Sequence, residues 1–385
     1  MKVEETYNGF EQGPIRPPSE AESLLIRITR NCPWNFCTFC PVYKDQQFSL
    51  RPVDHVLKDI DTVHAYVRAI TEARESGRKF SRRDIYSLAP SGSNEEDLHA
   101  LHAAYQFIAG GMKSIFLQDG NSLIIKPENL IRILRHLKHT FPMVERITSY
   151  ARSHTIAKIS DEHLGLMADA GLNRIHIGME SGSDTVLKQV KKGVDKATHI
   201  VAGQKVKRAG MELSEYYMPG LGGKALSREN ALETADALNQ INPDFIRLRT
   251  LALPRNTPLT EQFNAGKFDK MGEVATSEEL LLFLESLEGI TSTVRSDHML
   301  NLFPEVDGTL PDDKEKIIQP VKDFLTLSPE DQMIFCIGRR THRISRFSDL
   351  QNEIQRDYAL QMCSELGATV ENMDNVIEAL MQRFI

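Results

Sequence analysis

Arg30-Asn31-Cys32-Pro33-Trp34-Asn35-Phe36-Cys37-Thr38-Phe39-Cys40 decides how this chain is read. Three of its five cysteines fall in this stretch, spaced C-x4-C-x2-C. The run before it, Leu24-Leu25-Ile26-Arg27-Ile28-Thr29, is apolar and β-branched, which predicts a buried strand. A loop at that strand's C-terminal end therefore offers three thiolates, and thiolates are the ligands of iron–sulfur clusters. Three ligands on a [4Fe–4S] cluster leave one iron open to another molecule, which points to a catalytic cluster rather than an electron carrier. The same residues admit a zinc site, because Cys37 and Cys40 have knuckle spacing and His99, His102 or His298 can add a ligand.

Working outward, the chain has a regular rhythm. Strands are expected at Lys113–Gln118, Arg146–Tyr150, Arg174–Met179, Glu212–Tyr217 and Phe245–Leu251, alternating with apolar-faced helices. The helices carry end signals: Ser160, Ser183 and Ser227 as N-caps, Gly171, Gly193 and Gly210 as stops. Six strands alternating with helices predict parallel strands joined by right-handed crossovers. Residues 1–22 read as an extended lead-in, with Gly13-Pro14-Ile15-Arg16-Pro17-Pro18 at its centre. Residues 52–95 read as a helical insertion that includes the turn Pro90-Ser91-Gly92-Ser93. After residue 257 helices dominate, expected at Glu278–Leu287, Lys314–Phe324, Pro329–Ile337, Asp349–Glu365 and near Asn375–Arg383. The domain expectation is thus a lead-in (1–22), an α/β body (23–257) and a helical extension (258–385).

Composition bounds the function. The 385 residues carry a net charge of −7 and are 41% hydrophobic, ordinary for a globular protein. No global basic footprint calls for nucleic acid, so none is expected as a partner. No apolar run is long enough to cross a membrane, and the polar start Met1-Lys2-Val3-Glu4-Glu5 has no signal-peptide core, so a cytoplasmic location is expected. Cys336 and Cys363 stand apart from the triad and read as small buried hydrophobes.

The cysteine stretch resembles that of the radical S-adenosylmethionine (radical SAM) superfamily, whose loop after the first barrel strand is C-x3-C-x2-C; the first gap here is one residue longer, as in some branches. Gly178-Met179-Glu180-Ser181-Gly182-Ser183 resembles the segment after strand four in the branch of oxygen-independent coproporphyrinogen oxidases and the elongator catalytic subunit. Tyr217-Met218-Pro219-Gly220-Leu221-Gly222-Gly223 resembles that superfamily's glycine loop after strand five. The resemblance covers roughly residues 23–255. It implies a (β/α)6 partial TIM barrel followed by the helical extension, with chemistry on the loops after the strands.

The resemblance also implies roles. Cys32, Cys37 and Cys40 would hold the [4Fe–4S] cluster, and S-adenosylmethionine (SAM) would chelate the open iron. Phe39, Met218, Gly220 and Leu253 would border the adenine. Asp119 and Gly120, in the turn after strand two, would meet the SAM ammonium; Arg152, after strand three, its carboxylate; Glu180, after strand four, its ribose. The implied activity is reductive cleavage of SAM to a 5′-deoxyadenosyl radical that takes hydrogen from a substrate the sequence does not identify. A reducing partner such as flavodoxin or ferredoxin is implied with it. Arg295-Ser296-Asp297-His298, Asn301 and Gly338-Arg339-Arg340 are further polar groups open to a substrate or a structural role. Two other classes stay open at this point: a non-catalytic cluster, haem or SAM carrier related to coproporphyrinogen oxidase, and a zinc-binding interaction protein.

Overall fold

The computed structural model describes residues 5–76, 84–89 and 95–382. The expected turn at 90–93 lies outside them. The chain divides into two compact units. The first comprises Met1–Asn35, Val42–Ile177 and Lys205–Glu212; the second comprises Phe36–Pro41, Gly178–Gln204 and Leu213–Ile385.

In the first unit, β1 (Leu24–Arg27), β2 (Ser114–Gln118), β3 (Arg146–Ala151) and the start of β4 (Leu172–Glu180) run parallel. Leu24 lies opposite Ile115, Ser114 opposite Arg146, and Ile147 opposite Leu172. Ile26, Ile115, Phe116, Leu117, Ile147, Ile175 and Ile177 are buried, as strands covered on both faces require. Helix Pro127–Thr140 has Pro at its first turn, where the missing N–H costs nothing, and buries Leu130, Ile133, Leu134 and Leu137. Ser160 caps helix Asp161–Asp169 by accepting from the His163 N–H, as expected. Helix Val53–Glu75 of the insertion packs on helix Glu95–Ala109, which follows it.

In the second unit, β5 (Glu212–Tyr217) pairs in parallel with β6 (Phe245–Leu248), with Ser214 opposite Phe245. The six expected strands are all present, and the fold is the α/β partial-barrel class with a C-terminal helical extension. That extension is not purely helical. β7 (Thr293–Arg295) pairs in parallel with β6, and β8 (Gly308–Thr309) pairs antiparallel with β7. Strands of two and three residues are too short to give a periodic signal. Helix Pro258–Asn264, capped by Thr257, is likewise an addition.

Two expected boundaries are corrected. The helix expected to start after Ser227 begins at Gly223, so Ser227 lies within it. Gly223 has a positive φ of 64°, and a Cβ there would meet the Asp269 carbonyl oxygen at 2.8 Å. That close approach starts the helix five residues earlier than propensity suggests. The helix expected to run to Lys192 ends at Gln189. Lys191 then takes a left-handed φ of 54°, and the Lys192 N–H donates back to the Leu187 carbonyl at 2.9 Å.

Candidate functional site

The cysteine loop is held differently on its two sides. Cys32 belongs to the first unit, where Asp119 braces the loop. The Asp119 carboxylate is fully buried. It accepts from Tyr43 Oη at 2.7 Å, Arg27 Nε at 2.7 Å and the Asn31 N–H at 3.0 Å, next to Cys32. Burial and the Asp119 charge both push the Tyr43 hydroxyl upward, so it stays protonated and donating. Asn31 takes a left-handed φ of 67°, and its side chain donates to the Gln47 carbonyl. Gly120 follows directly: a Cβ there would stand 3.6 Å from the Cys32 Cβ. The β2 turn thus lies in van der Waals contact with Cys32.

Cys37, Phe39 and Cys40 belong to the second unit. Between them, the Thr38 N–H donates to the Val190 carbonyl and the Thr38 carbonyl accepts from Leu259 N–H, both at 3.0 Å. Those bonds stitch the loop between two helix ends. Phe39 and Met218 pack against the buried cluster of Val186, Val190, Leu221, Leu251, Leu253, Leu259 and Phe268. Three residues named from the resemblance, Phe39, Met218 and Leu253, therefore meet in one apolar wall. Gly220 has φ of 86°. Its N–H donates at 2.9 Å to Glu279, which also accepts from Tyr217 Oη and Asn230 Nδ2 at 2.7 Å. Burial raises the Glu279 carboxyl, while these donors pull it down. Glu279 thus fixes the glycine loop from the helix expected at Glu278–Leu287, which in the structure begins at Glu273; its apolar neighbours Leu280, Phe283 and Leu284 are buried.

Beside that wall sits a polar group. Glu180 ends β4 with a left-handed φ of 68°, and its carbonyl accepts from the Met218 N–H at 2.9 Å. Its Oε1 pairs with Lys192 Nζ at 3.2 Å. The same ammonium stands 5.8 Å from the centre of the Phe39 ring. Glu180 Oε2 is buried with no hydrogen-bond partner among the described residues. Glu215, on β5, is fully buried with both oxygens in that condition. Burial and the negative charge of Glu180 push its carboxyl well up, against the pull of Lys192. In the sequence Lys192 reads only as the last residue of the helix expected over Asp184–Lys192, a place with no side-chain role of its own. Sequence reading missed Glu215 because a lone acid among strand residues carries no motif.

The other named residues have the following neighbours. Arg152 stacks over Trp34 at 4.9 Å, and its N–H donates to Asn121 Oδ1 at 3.1 Å. Asn301 Oδ1 accepts from the Thr250 N–H at 3.0 Å, and its amide donates to the Leu248 carbonyl, closing the end of β6. Asp297 pairs with Arg247, and Arg295 with Asp307. Burial, then the nearby Arg249 charge, lowers His298 to about 4, so it is neutral at physiological pH. Arg340 pairs with Glu273, and Arg339 donates to the carbonyls of Leu302 and Ser345. His99 and His102 lie on helix Glu95–Ala109, against Glu95 and Tyr86. Cys336 and Cys363 are buried, as expected.

The donor set fits an iron–sulfur cluster. Cys32, Cys37 and Cys40 are partly exposed and not in disulfides. Among the described residues, no three His, Cys, Asp or Glu side chains gather as ligands of one ion. A cluster asks for a different arrangement, because each thiolate takes its own iron.

The Radical SAM superfamily pattern matches residues 26–235. This chain belongs to the radical SAM superfamily. It is an enzyme of that class, for which a [4Fe–4S] cluster and SAM are implied. Among curated proteins it is similar to a tRNA uridine(34) acetyltransferase of Methanocaldococcus infernus, 26% identical over 266 residues, covering 66% of this chain and 47% of that protein. It is also similar to the mitochondrial tRNA methylthiotransferase CDK5RAP1 of Rattus norvegicus, 23% identical over 246 residues, covering 63% and 38%. The chain thus spans less than half the length of both. Among solved structures, coproporphyrinogen III oxidase (HemN) of Escherichia coli aligns with a TM-score of 0.44 at 13% identity, covering 94% of this chain and 90% of that one. Among the described residues no helix is long and apolar enough to cross a membrane.

Proposed function

We propose that this radical SAM enzyme holds a [4Fe–4S] cluster through Cys32, Cys37 and Cys40 and uses SAM, with an electron from a flavodoxin- or ferredoxin-type donor, to remove hydrogen from a substrate. When bound, the cluster and SAM supply one-electron cleavage of the sulfonium and the 5′-deoxyadenosyl radical. The observation that carries the reading is the convergence in the second unit. Phe39 lies between two cysteines and joins Met218 and Leu253 in one apolar wall, with the Glu180–Lys192 pair beside it.

In this reading the chain's residues bind and orient. The apolar wall takes the adenine face and keeps water from it. Glu180 offers its Oε2 to a ligand hydroxyl or ammonium, and Lys192 a cation to the ligand's carboxylate. Gly120 carries the β2 turn to within contact of Cys32. Asp119 supports Asn31 and the start of that loop, with its oxygens already engaged by protein donors.

The substrate is a separate question. Both curated relatives are tRNA-modifying by name, which brings nucleic acid back as a substrate class despite the acidic net charge. A local basic groove is enough for such binding.

The test is anaerobic reconstitution with iron and sulfide, then assay of 5′-deoxyadenosine after SAM and dithionite are added, with and without bulk tRNA. A brown protein that forms 5′-deoxyadenosine, and a Cys37→Ala variant that binds less iron and forms none, are expected. A colourless protein, or a brown one that cleaves no SAM under any of these conditions, overturns the reading.

A further inference from the structure

Arg249 is a charged group at the end of the sheet that the proposed function does not use. Its N–H donates to the Tyr217 carbonyl at 2.9 Å, which extends the β5–β6 ladder one residue past Leu248. Strand residues two apart leave the same face. Arg247 and Arg249 therefore share a face of β6, as Ser214 and Tyr216 share one of β5. The contacts join the two: Arg247 Nε donates to Ser214 Oγ at 3.1 Å, and the Arg249 guanidinium lies over the Tyr216 ring, 4.8 Å from its centre.

The turn after β7 completes the cluster. Asp297 pairs with Arg247 there, and His298 follows it. β5, β6 and β7 are parallel, so Arg249 and His298 stand at their carboxyl ends, where α/β folds carry their chemistry. His298 Nδ1 accepts from the Leu300 N–H at 3.4 Å, which puts the neutral ring's proton on Nε2, as a donor. Burial keeps that ring neutral; the charges of Arg249 and Arg340 act the same way, and Asp297 acts against them. Arg340 is engaged with Glu273, and Asp297 with Arg247. Arg249 and His298 are partly exposed, whereas Tyr216 and Arg247 are buried.

This arrangement selects a ligand group. A guanidinium held flat on an aromatic ring presents its N–H groups in one plane, the geometry that matches a carboxylate or phosphate edge. The imidazole N–H adds a further donor. A cationic ligand group would meet like charge, and an apolar one would strip water from the guanidinium without replacing its hydrogen bonds. A bound oxyanion offsets the Arg249 charge and favours protonation of the His298 ring, which takes one proton from solvent.

We propose that Arg249 and His298 bind an oxyanion of the substrate, a carboxylate or phosphate group, at the carboxyl ends of β5–β7. The inference rests on the reading that the substrate reacts at this end of the sheet. Arg247 has the separate part of holding Asp297 and the turn after β7.

The experiment is NMR titration of the reconstituted, unreduced holoenzyme with its histidines carbon-labelled in the ring, the His298 signal being assigned through His298→Gln. Sodium phosphate and sodium acetate are added separately, against sodium chloride at equal ionic strength. With chloride the His298 ring should stay mostly neutral from pH 7 to pH 5, because burial lowers it to about 4. With a bound oxyanion its half-protonation point should move up by at least about one pH unit, a tenfold change in proton affinity. Arg249→Gln should need about tenfold more of the same anion for that effect. The wild-type comparison with chloride does not depend on the variant folding. A response to phosphate alone assigns a phosphate group, a response to acetate alone assigns a carboxylate, and a response to both supports the shared oxyanion chemistry. No response to either in the wild type, or an equal response in Arg249→Gln, overturns the inference. Formation of 5′-deoxyadenosine by the same preparation tests the radical reading separately. Its formation without an anion response leaves that reading standing; an anion response in protein that cleaves no SAM removes the substrate role and overturns both.

Discussion

Asp119→Asn separates a brace from a ligand contact. The wild-type carboxylate satisfies three donors at once: Tyr43 Oη, Arg27 Nε and the Asn31 N–H. An asparagine has one oxygen and one amide nitrogen. If its oxygen stays with Tyr43, the amide faces Arg27 and Asn31, donor against donor. The charge-assisted bond to Arg27 is worth about 1.5–3 kcal/mol, and the neutral one to Asn31 about 0.5–1.5 kcal/mol. Arg27 keeps its 2.7 Å contact with Glu11, which holds the loss below the full cost of stranding a buried charge. The expected destabilisation is therefore about 2–4 kcal/mol. Urea unfolding followed through Trp34, the single tryptophan and a residue of the cysteine loop, reads it directly. Because Asn31 precedes Cys32, reconstituted iron should fall as well. If Asp119→Asn unfolds at the wild-type urea concentration and loads wild-type iron, the brace is refuted. Weakened SAM affinity on top of that would return Asp119 to the ammonium contact that the resemblance implies.

Two further perturbations follow from buried charge. Glu20, fully buried, lies 3.5 Å from His176 and 3.2 Å from Arg146. Burial alone would raise its carboxyl, but hydrogen bonds from His176 and Ser23, with the Arg146 charge, hold it below its ordinary 4.5. A carboxyl held low stabilises the fold above that value and loses its contribution as pH falls through the depressed one. Wild type should therefore exceed Glu20→Gln by about 2–3 kcal/mol near neutrality. In melting curves from pH 7 to pH 3 that margin should shrink toward acid, and a margin that grows there would contradict the assignment. Arg340 and Glu273 form a buried pair, 3% and 6% exposed, with Arg340 Nε 2.9 Å from Oε1. Arg340→Leu should cost about 3–5 kcal/mol in chemical denaturation, and the double variant with Glu273→Leu should recover part of it. Loss of SAM binding from Arg340→Leu at unchanged stability would instead mark a substrate contact.

The parallel framework was legible because its signals are local and repeated. Each of six strands carries an apolar run, and Ser160 and Ser183 cap helices where read, accepting from the N–H groups of His163 and Val186. β7 and β8 were not legible: five residues in all cannot display a period, and they are strands only because neighbours offer edges. The start of helix Gly223–Ile241 was hidden for a related reason. Glycines at 222 and 223 read as a loop until the tight approach of Asp269 and Phe268 becomes visible.

The candidate site divides along the same line. Residues on a motif, such as Phe39 and Glu180, could be named, and the apolar wall joins Phe39 to Met218 and Leu253. Residues that matter through charge balance could not be named, since balance belongs to a place rather than a spacing. Lys192 reaches Glu180 because Lys191 turns left-handed and reverses the chain. Glu215 matters because two carboxyls then compete for that one ammonium. Had the helix continued straight past Gln189, Lys192 would point elsewhere, and both acids would be buried without a counter-charge, a state the fold could not sustain. The turn at Lys191 and the acid at Glu215 thus make sense only together. The pair Glu180–Lys192 matches one buried charge, while burial and the Glu180 charge raise the Glu215 carboxyl.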